Sequence, residues 1–303
     1  MLPSLSRPRS YGSESAGCRA GARTWRTHTS AISTLRKIFR SSASSTATVV
    51  HQHASNAILG QEVALFARKH MPALIKSAPA FHSGDYATAL KTAFLRVDEL
   101  LRTKEGRKEL AKISAQVCKA PVLYSRPKDE DIAGNVGCTA CVALVSRTEV
   151  YVANAGDSRC VISKAGKAVP MSEDHKPELG REQKRILAAG GCVEDGRVRG
   201  VLNLSRSLGD LEFKANKKLP AEQQMITADP EIHVEKIFPE TELLILGCDG
   251  VWDCYTSQKA VTTLRGELWD QDGPMKVGIG KVLANLLDAV LAKDLTSEGS
   301  LSA

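Results

Sequence analysis

Three aspartates of this chain stand next to a glycine at the end of short, mostly apolar segments. They are Asp157, Asp210 and Asp249. Glycine permits the sharp turn that directs a neighbouring side chain away from a strand. Carboxylates that converge on one cleft repel one another unless cations bridge them, and oxygen ligands select Mg²⁺ or Mn²⁺ over zinc. The three aspartates are therefore candidate metal ligands.

Asp249 has the clearest local pattern of the three. It follows the apolar run Leu243–Leu246 after a short Gly-Cys step. This pattern is typical of a buried strand that brings a carboxylate to the edge of a sheet. Asp249 and Gly250 also form a common turn pair, so a plain turn is the alternative for this segment.

The other two aspartates have an alternative of a different kind. Asp157 could pair with Arg159, and Asp210 could pair with Arg206, because each arginine lies within four residues of its aspartate. Spacing along the chain does not show whether the three carboxylates meet in space. Both interpretations stay open on the local sequence alone.

The elements that must position these residues can be predicted from hydrophobic periodicity. Four segments have the apolar spacing of helices: they begin near Gly60 and Asp85 and cover Glu182–Ala189 and Val282–Leu291. Short apolar runs predict two β-hairpins, one over Cys138–Ala153 and one over Cys160–Met171. Because the helices cluster early and late, the order favours an α+β fold with an antiparallel sheet over alternating βαβ units.

The net charge of +7 lies entirely in residues 1–45, where eight Lys and Arg residues accompany one glutamate. The remainder is neutral, so we expect no nucleic-acid partner. We also expect no membrane insertion, since no apolar stretch approaches the roughly 20 residues that cross a bilayer.

The Arg-rich, Ser-rich segment has the composition of a transit peptide. An intracellular location is expected, mitochondrial if this segment is a presequence and otherwise cytoplasmic or nuclear; a plain disordered tail is the alternative.

Eight cysteines are scattered along the chain, most of them inside apolar runs where a free Cys behaves as a small hydrophobe. Cys138 and Cys141 form a lone C-x-x-C pair without a second pair at zinc spacing. We therefore expect core cysteines rather than a zinc site.

Six short blocks occur in the order found in one protein family. They are Gly137–Ala140, Ala155–Arg159, Asp174–Pro177, Arg185–Gly191, Ser205–Asp210 and Cys248–Asp253. In this order and spacing the chain resembles the type 2C, metal-dependent (PPM-type) protein phosphatases, over about residues 61–292. The resemblance implies a four-layer α-β-β-α sandwich of two antiparallel sheets flanked by helices.

The resemblance also implies a function. Members of this family hydrolyse phosphoserine and phosphothreonine in proteins by attack of a metal-bound water, with two or more Mg²⁺ or Mn²⁺ ions. On this basis Asp249 matches a ligand of one core metal, Asp157 matches an aspartate near a third metal, and Asp210 matches an acidic residue close to it. No nucleophilic side chain is needed, so Cys248 is expected in the core.

The chain departs from the family pattern at both ends. The first metal motif of the family, Asp-Gly-His-Gly-Gly, falls on residues 56–60, where Asn56 replaces the bridging aspartate and only Gly60 agrees. Asn56 and Gly60 are therefore weak candidates for the site. No match is found for a glutamate ligand and a phosphate-binding arginine upstream, or for an Asp-Asn motif after residue 292.

These departures set the expected domain organisation. We predict a disordered segment over residues 1–45 and a phosphatase domain over 46–303 that lacks terminal strands. Two alternatives to an active enzyme follow: an inactive phosphatase-like scaffold or binding protein, or a wrongly joined sequence of an active member. The sequence indicates no oligomeric state.

Overall fold

The protein is described by a computed structural model over residues 31–34, 45–53, 60–117, 132–269 and 278–298, with side chains over 60–117, 132–269 and 278–290. Two antiparallel sheets form its centre. The order of the first sheet is β1 (Ala31–Thr34), β11 (Thr241–Gly247), β5 (Arg159–Lys164) and β6 (Lys167–Pro170). The order of the second sheet is β10 (Glu231–Lys236), β4 (Glu149–Ala155), β3 (Gly137–Val145) and β2 (Ser45–His53). β9 (Leu208–Gly209) pairs with the start of β3, and β7 (Val193–Glu194) pairs with β8 (Arg197–Val198).

Helices cover the outer faces of both sheets. Five helices of the described ranges precede β3, namely α1 (Gln61–Ser77), α2 (Pro79–His82), α3 (Tyr86–Arg102), α4 (Lys104–Val117) and α5 (Ile132–Asn135). The later helices are α6 (Gly180–Ala188), α7 (Asp249–Trp252), α8 (Ser257–Leu268) and α9 (Ile279–Glu298), and two 3₁₀ turns cover Leu211–Lys214 and Ala221–Gln223. No helix in the described ranges is long and apolar enough to span a bilayer.

The alternation of side chains along β3 divides the core into layers. Ala140, Val142 and Leu144 pack against the helices α1 and α3, whereas Cys141 and Ala143 pack between the two sheets. Successive side chains of a strand point to opposite faces, so one strand serves both layers. A third core lies between the first sheet and the helices α8 and α9. These layers are the predicted α-β-β-α sandwich.

The predicted helices and hairpins are confirmed, with boundaries shifted by a few residues. The helix α4 was not predicted, because it is polar along most of its length. The prediction that the sheets lack terminal strands is corrected at the N-terminal side, since β1 and β2 occupy one edge of each sheet. β1 also lies inside the segment 1–45 for which we predicted disorder. Edge pairing uses backbone groups that every residue carries, so composition gives no signal for it.

Candidate functional site

Asp157 lies where the chain crosses from one sheet to the other. β4 ends at Ala155 in the second sheet and β5 begins at Arg159 in the first, so the turn that carries Asp157 sits at the shared end of both sheets. Gly156 makes this turn with φ of 120°. A side chain at Gly156 would meet Thr139, because an added Cβ would lie 2.4 Å from Thr139 Cγ2. The glycine is therefore required both by its backbone conformation and by the close approach of β3.

Asp249 lies at the same end of the first sheet. β11 and β5 are antiparallel neighbours in which Gly247 stands opposite Arg159. Asp157 precedes this pair by two residues and Asp249 follows it by two, so both carboxylates extend beyond the same sheet edge. Asp249 begins the helix α7, and its Oδ1 accepts a hydrogen bond of 2.8 Å from the N–H of Gly250. The predicted strand end and turn are thus parts of one feature.

Asp253 joins the two predicted aspartates. It closes α7 one turn after Asp249, and its N–H donates to the carbonyl of Asp249 at 2.8 Å. Partial desolvation and then the charge of Asp249 raise the pKa of Asp253, and Asp157 raises this pKa further. Three carboxylates from two chain segments therefore share one electrostatic environment. Asp253 was not among the predicted ligands, although its i+4 spacing from Asp249 was a usable signal.

Lys176 contributes the positive charge of this site. Its Nζ donates to Oδ2 of Asp157 at 2.5 Å, and the ammonium also lowers the pKa of Asp253. The other carboxylate oxygen, Oδ1 of Asp157, is buried and has no hydrogen-bond partner among the described residues. A buried carboxylate oxygen without a donor is costly unless a cation or water meets it.

Arg159 and Asp174 form a second, closed pair beside the site. Arg159 donates two hydrogen bonds to the carboxylate of Asp174, from Nε at 3.0 Å and from Nη2 at 2.8 Å. Its guanidinium also lies over the ring of Trp252, 5.4 Å from the centroid. Arg159 is therefore held by Asp174 and not by Asp157, so the alternative that Asp157 pairs with Arg159 is wrong.

His175 anchors the segment that carries Lys176. Its side chain is fully buried, and its Nδ1 accepts a hydrogen bond of 3.2 Å from the main-chain N–H of Gly156. The main-chain N–H of His175 donates to the Gly156 carbonyl at 3.0 Å. Burial lowers the pKa of His175. The Asp157 turn and the Lys176 segment are thus joined through the main chain and the imidazole of His175.

Asp210 belongs to a different cluster. Its Oδ2 accepts a hydrogen bond from Ser207 Oγ at 2.5 Å, and the carboxylate fills the space beneath Gly137, where an added Cβ would lie 2.0 Å away. Nearby, Lys214 Nζ donates to Asp98 Oδ2 at 2.5 Å. Burial raises the pKa of Asp210 to about 6. These contacts give Asp210 a role inside the fold, and they lend no support to its predicted role as a metal ligand.

The alternative partner of Asp210 is also occupied elsewhere, because Arg206 donates to Glu182 at 2.6 Å. Gly60, with φ of 135°, is buried at the start of α1 and donates its N–H to Glu62 Oε2 at 3.2 Å. Asn56 lies outside the described residues.

Cys248 is buried, in agreement with its expected place in the core. Cys138 and Cys141 pack in two different core layers, so they do not face one binding site.

The carboxylate oxygens of Asp157, Asp249 and Asp253 are ligands of the type and charge that a hard divalent cation prefers. In the conformation described, no three His, Cys, Asp or Glu side chains of the described ranges are close enough to hold a metal ion as they stand. This agrees with the salt bridge of Asp157, because Lys176 holds one oxygen of the carboxylate that a cation would need. The unpartnered Oδ1 of Asp157 is the observation that favours a cation here.

Most of the chain is similar to known proteins of the family that the six sequence blocks resemble. The model of the family "Protein phosphatase 2C" matches residues 20–287. The probable protein phosphatase 2C 11 of Oryza sativa subsp. japonica is 38% identical over 255 residues, which are 77% of this chain and 69% of the relative. The probable protein phosphatase 2C 60 of Arabidopsis thaliana is 39% identical over 250 residues, 75% of this chain and 70% of the relative.

The fold has a counterpart among solved structures. A serine-threonine phosphatase 2C from Toxoplasma gondii superposes with a TM-score of 0.62 at 17% identity, over 91% of this chain and 92% of that chain. At this identity the likeness concerns the fold. The antiparallel sheets and their flanking helices are therefore shared with this structure.

Proposed function

This chain belongs to the protein phosphatase 2C family, and on that premise we propose that Asp157, Asp249 and Asp253 hold a Mg²⁺ or Mn²⁺ ion used to remove phosphate from phosphoserine and phosphothreonine. Membership makes the chain a metal-dependent protein serine/threonine phosphatase, which confirms the family, activity and fold predicted from the six blocks. The comparisons support this enzyme and not the alternative of an inactive scaffold. The choice of Mg²⁺ or Mn²⁺ as the ion is part of the proposal.

One observation carries the assignment of the site. The Oδ1 of Asp157 is buried and has no hydrogen-bond donor among the described residues, and the charges of Asp157 and Asp249 both act on Asp253. Asp249 and Asp253 supply oxygens from the neighbouring strand end. A cation would satisfy the open oxygen and neutralise the mutual repulsion of the three carboxylates.

The negative charge of the three carboxylates explains why this site needs a cation before it can accept a phosphate ester. A phosphate monoester carries negative charge, so the carboxylates alone would repel it. Bound divalent cations neutralise phosphoryl oxygens and lower the pKa of water, which suits hydrolysis without a nucleophilic side chain. The buried Cys248 is thus not required for the reaction.

The surrounding residues of the chain hold the carboxylates in place. Gly156 sets the turn that carries Asp157, and His175 joins this turn to the Lys176 segment. Arg159, which pairs with Asp174 and lies over the ring of Trp252, braces the start of β5 beside the site. Ligands fixed in this way lose little freedom on binding a cation.

An assay of the purified full chain tests the proposal. We expect release of phosphate from a phosphothreonine peptide with Mn²⁺ or Mg²⁺, loss of release with a chelator, and a loss of about 100-fold or more in Asp249→Asn, because one metal ligand is removed. Asp195→Asn is the matched control. Asp195 is exposed in a turn with φ of 49°, a conformation that Asn tolerates, so its activity should be unchanged. Equal turnover in wild type and Asp249→Asn would contradict the proposed site.

A further inference from the structure

Beyond the proposed function, and resting on it for the site, we propose that Lys176 is a built-in counter-cation that competes with the divalent cation for Asp157. A divalent cation on both oxygens of Asp157 would displace the ammonium, and a divalent cation on Oδ1 alone would be repelled by the ammonium on Oδ2. Lys176 therefore weakens divalent-cation binding at Asp157, and it neutralises the cluster when no such ion is bound.

The contact between the two residues is direct. Lys176 Nζ lies 2.5 Å from Oδ2 of Asp157, and the Asp157 side chain is 3% exposed. A divalent cation that used both oxygens of Asp157 would need the position of this ammonium. The second oxygen, Oδ1, is already free of hydrogen-bond donors from the described residues. The carboxylate is thus half occupied by an internal cation and half open.

The surroundings of Lys176 allow it to leave. Its side chain is 44% exposed, and a lysine ammonium is a compact charge on a flexible stem. Arg159 differs in this respect, because it forms two hydrogen bonds with Asp174 and stacks on Trp252. Of the two cationic side chains nearest the cluster, Lys176 is the one that solvent can release.

Metal affinity measured without substrate tests this competition. Mn²⁺ binding to the full chain is titrated by calorimetry, and Asp157→Asn identifies the binding event that depends on Asp157. We expect Lys176→Met to raise the Mn²⁺ affinity of that binding event by about three- to tenfold, because a partly exposed ion pair is a modest competitor. Lys176→Arg keeps the positive charge and should not tighten binding.

Lys184→Met controls for the general loss of a positive charge. Lys184 is exposed on α6 and has no ion pair within the described part of the chain, so Mn²⁺ affinity should stay within about twofold of wild type. Unchanged affinity in Lys176→Met would overturn the competition. Weaker affinity would also overturn it and would make Lys176 a positioning residue for Asp157. Because no substrate is present, failure of the phosphatase activity would leave this result intact.

A measurement on the wild-type chain avoids any dependence on a variant that folds. Lysines are reductively methylated with formaldehyde and dimethylamine borane, and the labelling of Lys176 is compared with that of Lys184 by mass spectrometry. We expect Mg²⁺ to raise this ratio by roughly twofold, because the Lys176 side chain released from Asp157 becomes more accessible to the reagent. A ratio that falls or stays constant on addition of Mg²⁺ would contradict the proposal.

Discussion

Asp157 and Asp210 are both buried carboxylates beside a glycine, yet their partners differ. One oxygen of Asp157 accepts from the partly exposed ammonium of Lys176, and the other has no donor among the described residues. Asp210 accepts a hydrogen bond from Ser207 and fills the space under Gly137. Substitution of Asp157 should therefore change metal affinity, whereas substitution of Asp210 should change the free energy of unfolding.

Replacement of Asp210 by Asn tests its role inside the fold. Burial raises the pKa of Asp210 from 3.8 to about 6, so the folded state binds a proton more tightly than the unfolded state. Its contribution to the free energy of unfolding is therefore present at low pH and is lost as pH rises through about 6. We expect the difference in unfolding free energy between wild type and Asp210→Asn to fall by about 2 kcal/mol from pH 4 to pH 7.

Urea unfolding at a series of pH values measures this difference. The same Asp210→Asn protein should bind Mn²⁺ within about twofold of wild type, in contrast to Asp157→Asn. A loss of metal affinity as large as that of Asp157→Asn would return Asp210 to the metal site.

At the scale of elements, the site depends on the turn between β4 and β5. These strands belong to different sheets, so the turn brings the two sheet ends together. Gly156 forms it against Thr139 on β3, the strand beside β4. The position of Asp157 is therefore set by the approach of three strands rather than by its neighbours in sequence.

Gly156→Ala should displace this turn. The new Cβ would lie 2.4 Å from Thr139 Cγ2, and φ of 120° is unfavourable for alanine. Gly190→Ala is the matched control, since Gly190 has φ of 85° but nothing within 4 Å of an added Cβ. We expect Gly156→Ala to reduce the free energy of unfolding by about 1 to 3 kcal/mol more than Gly190→Ala does.

Denaturant unfolding provides these energies, and calorimetry with Mn²⁺ provides the accompanying loss of affinity. Equal destabilisation by the two substitutions would show that the contact with Thr139 is not important for this turn.

At the scale of the whole molecule, a buried ionic network connects α6 to the site. Glu182 is fully buried and accepts hydrogen bonds from Arg206 at 2.6 Å and from Ser205 Oγ at 2.8 Å. The main-chain N–H of Ser205 in turn donates to the carbonyl of His175 at 3.1 Å. Because His175 holds the Asp157 turn, the network links a peripheral helix to the ends of both sheets.

Glu182→Ala should destabilise the protein by about 3 kcal/mol or more at pH 7, because two arginines would lose a buried partner. Burial alone would raise the pKa of Glu182, but Arg206 and Arg185 outweigh it and lower this pKa to about 2. The stabilising contribution is therefore present above pH 4.5 and is lost as pH falls toward 2.

Glu178→Ala is the control for this substitution, since Glu178 is exposed nearby in the chain and should cost less than about 0.5 kcal/mol. Chemical unfolding at pH 7 compares the two variants. A small and equal effect of both would mean that the network is solvated or redundant.

The N-terminal boundary is also a property of the whole molecule. β1 pairs with β11, the strand that leads to Asp249. If the Arg-rich segment is a presequence, as we predict, only removal that ends before Ala31 would keep this strand. The mitochondrial location stays a prediction.

The six blocks and the hydrophobic periods determined the family and most local elements. Helices such as α1 and hairpins such as β3–β4 depend on residues close in sequence, so their spacing predicts them. The turn character of Asp157 and Asp249 was also visible, because a carboxylate beside glycine after an apolar run is a local feature.

Only the tertiary structure decided which of these carboxylates meet. Asp157 and Asp249 are separated by more than 90 residues, and the register of β5 with β11 brings them to one edge. The same register adds Asp253, while the pairing of β9 with β3 places Asp210 in another cluster. Strand order and the salt bridge of Lys176 arise from contacts between distant segments, and a single sequence carries no periodic signal for such contacts.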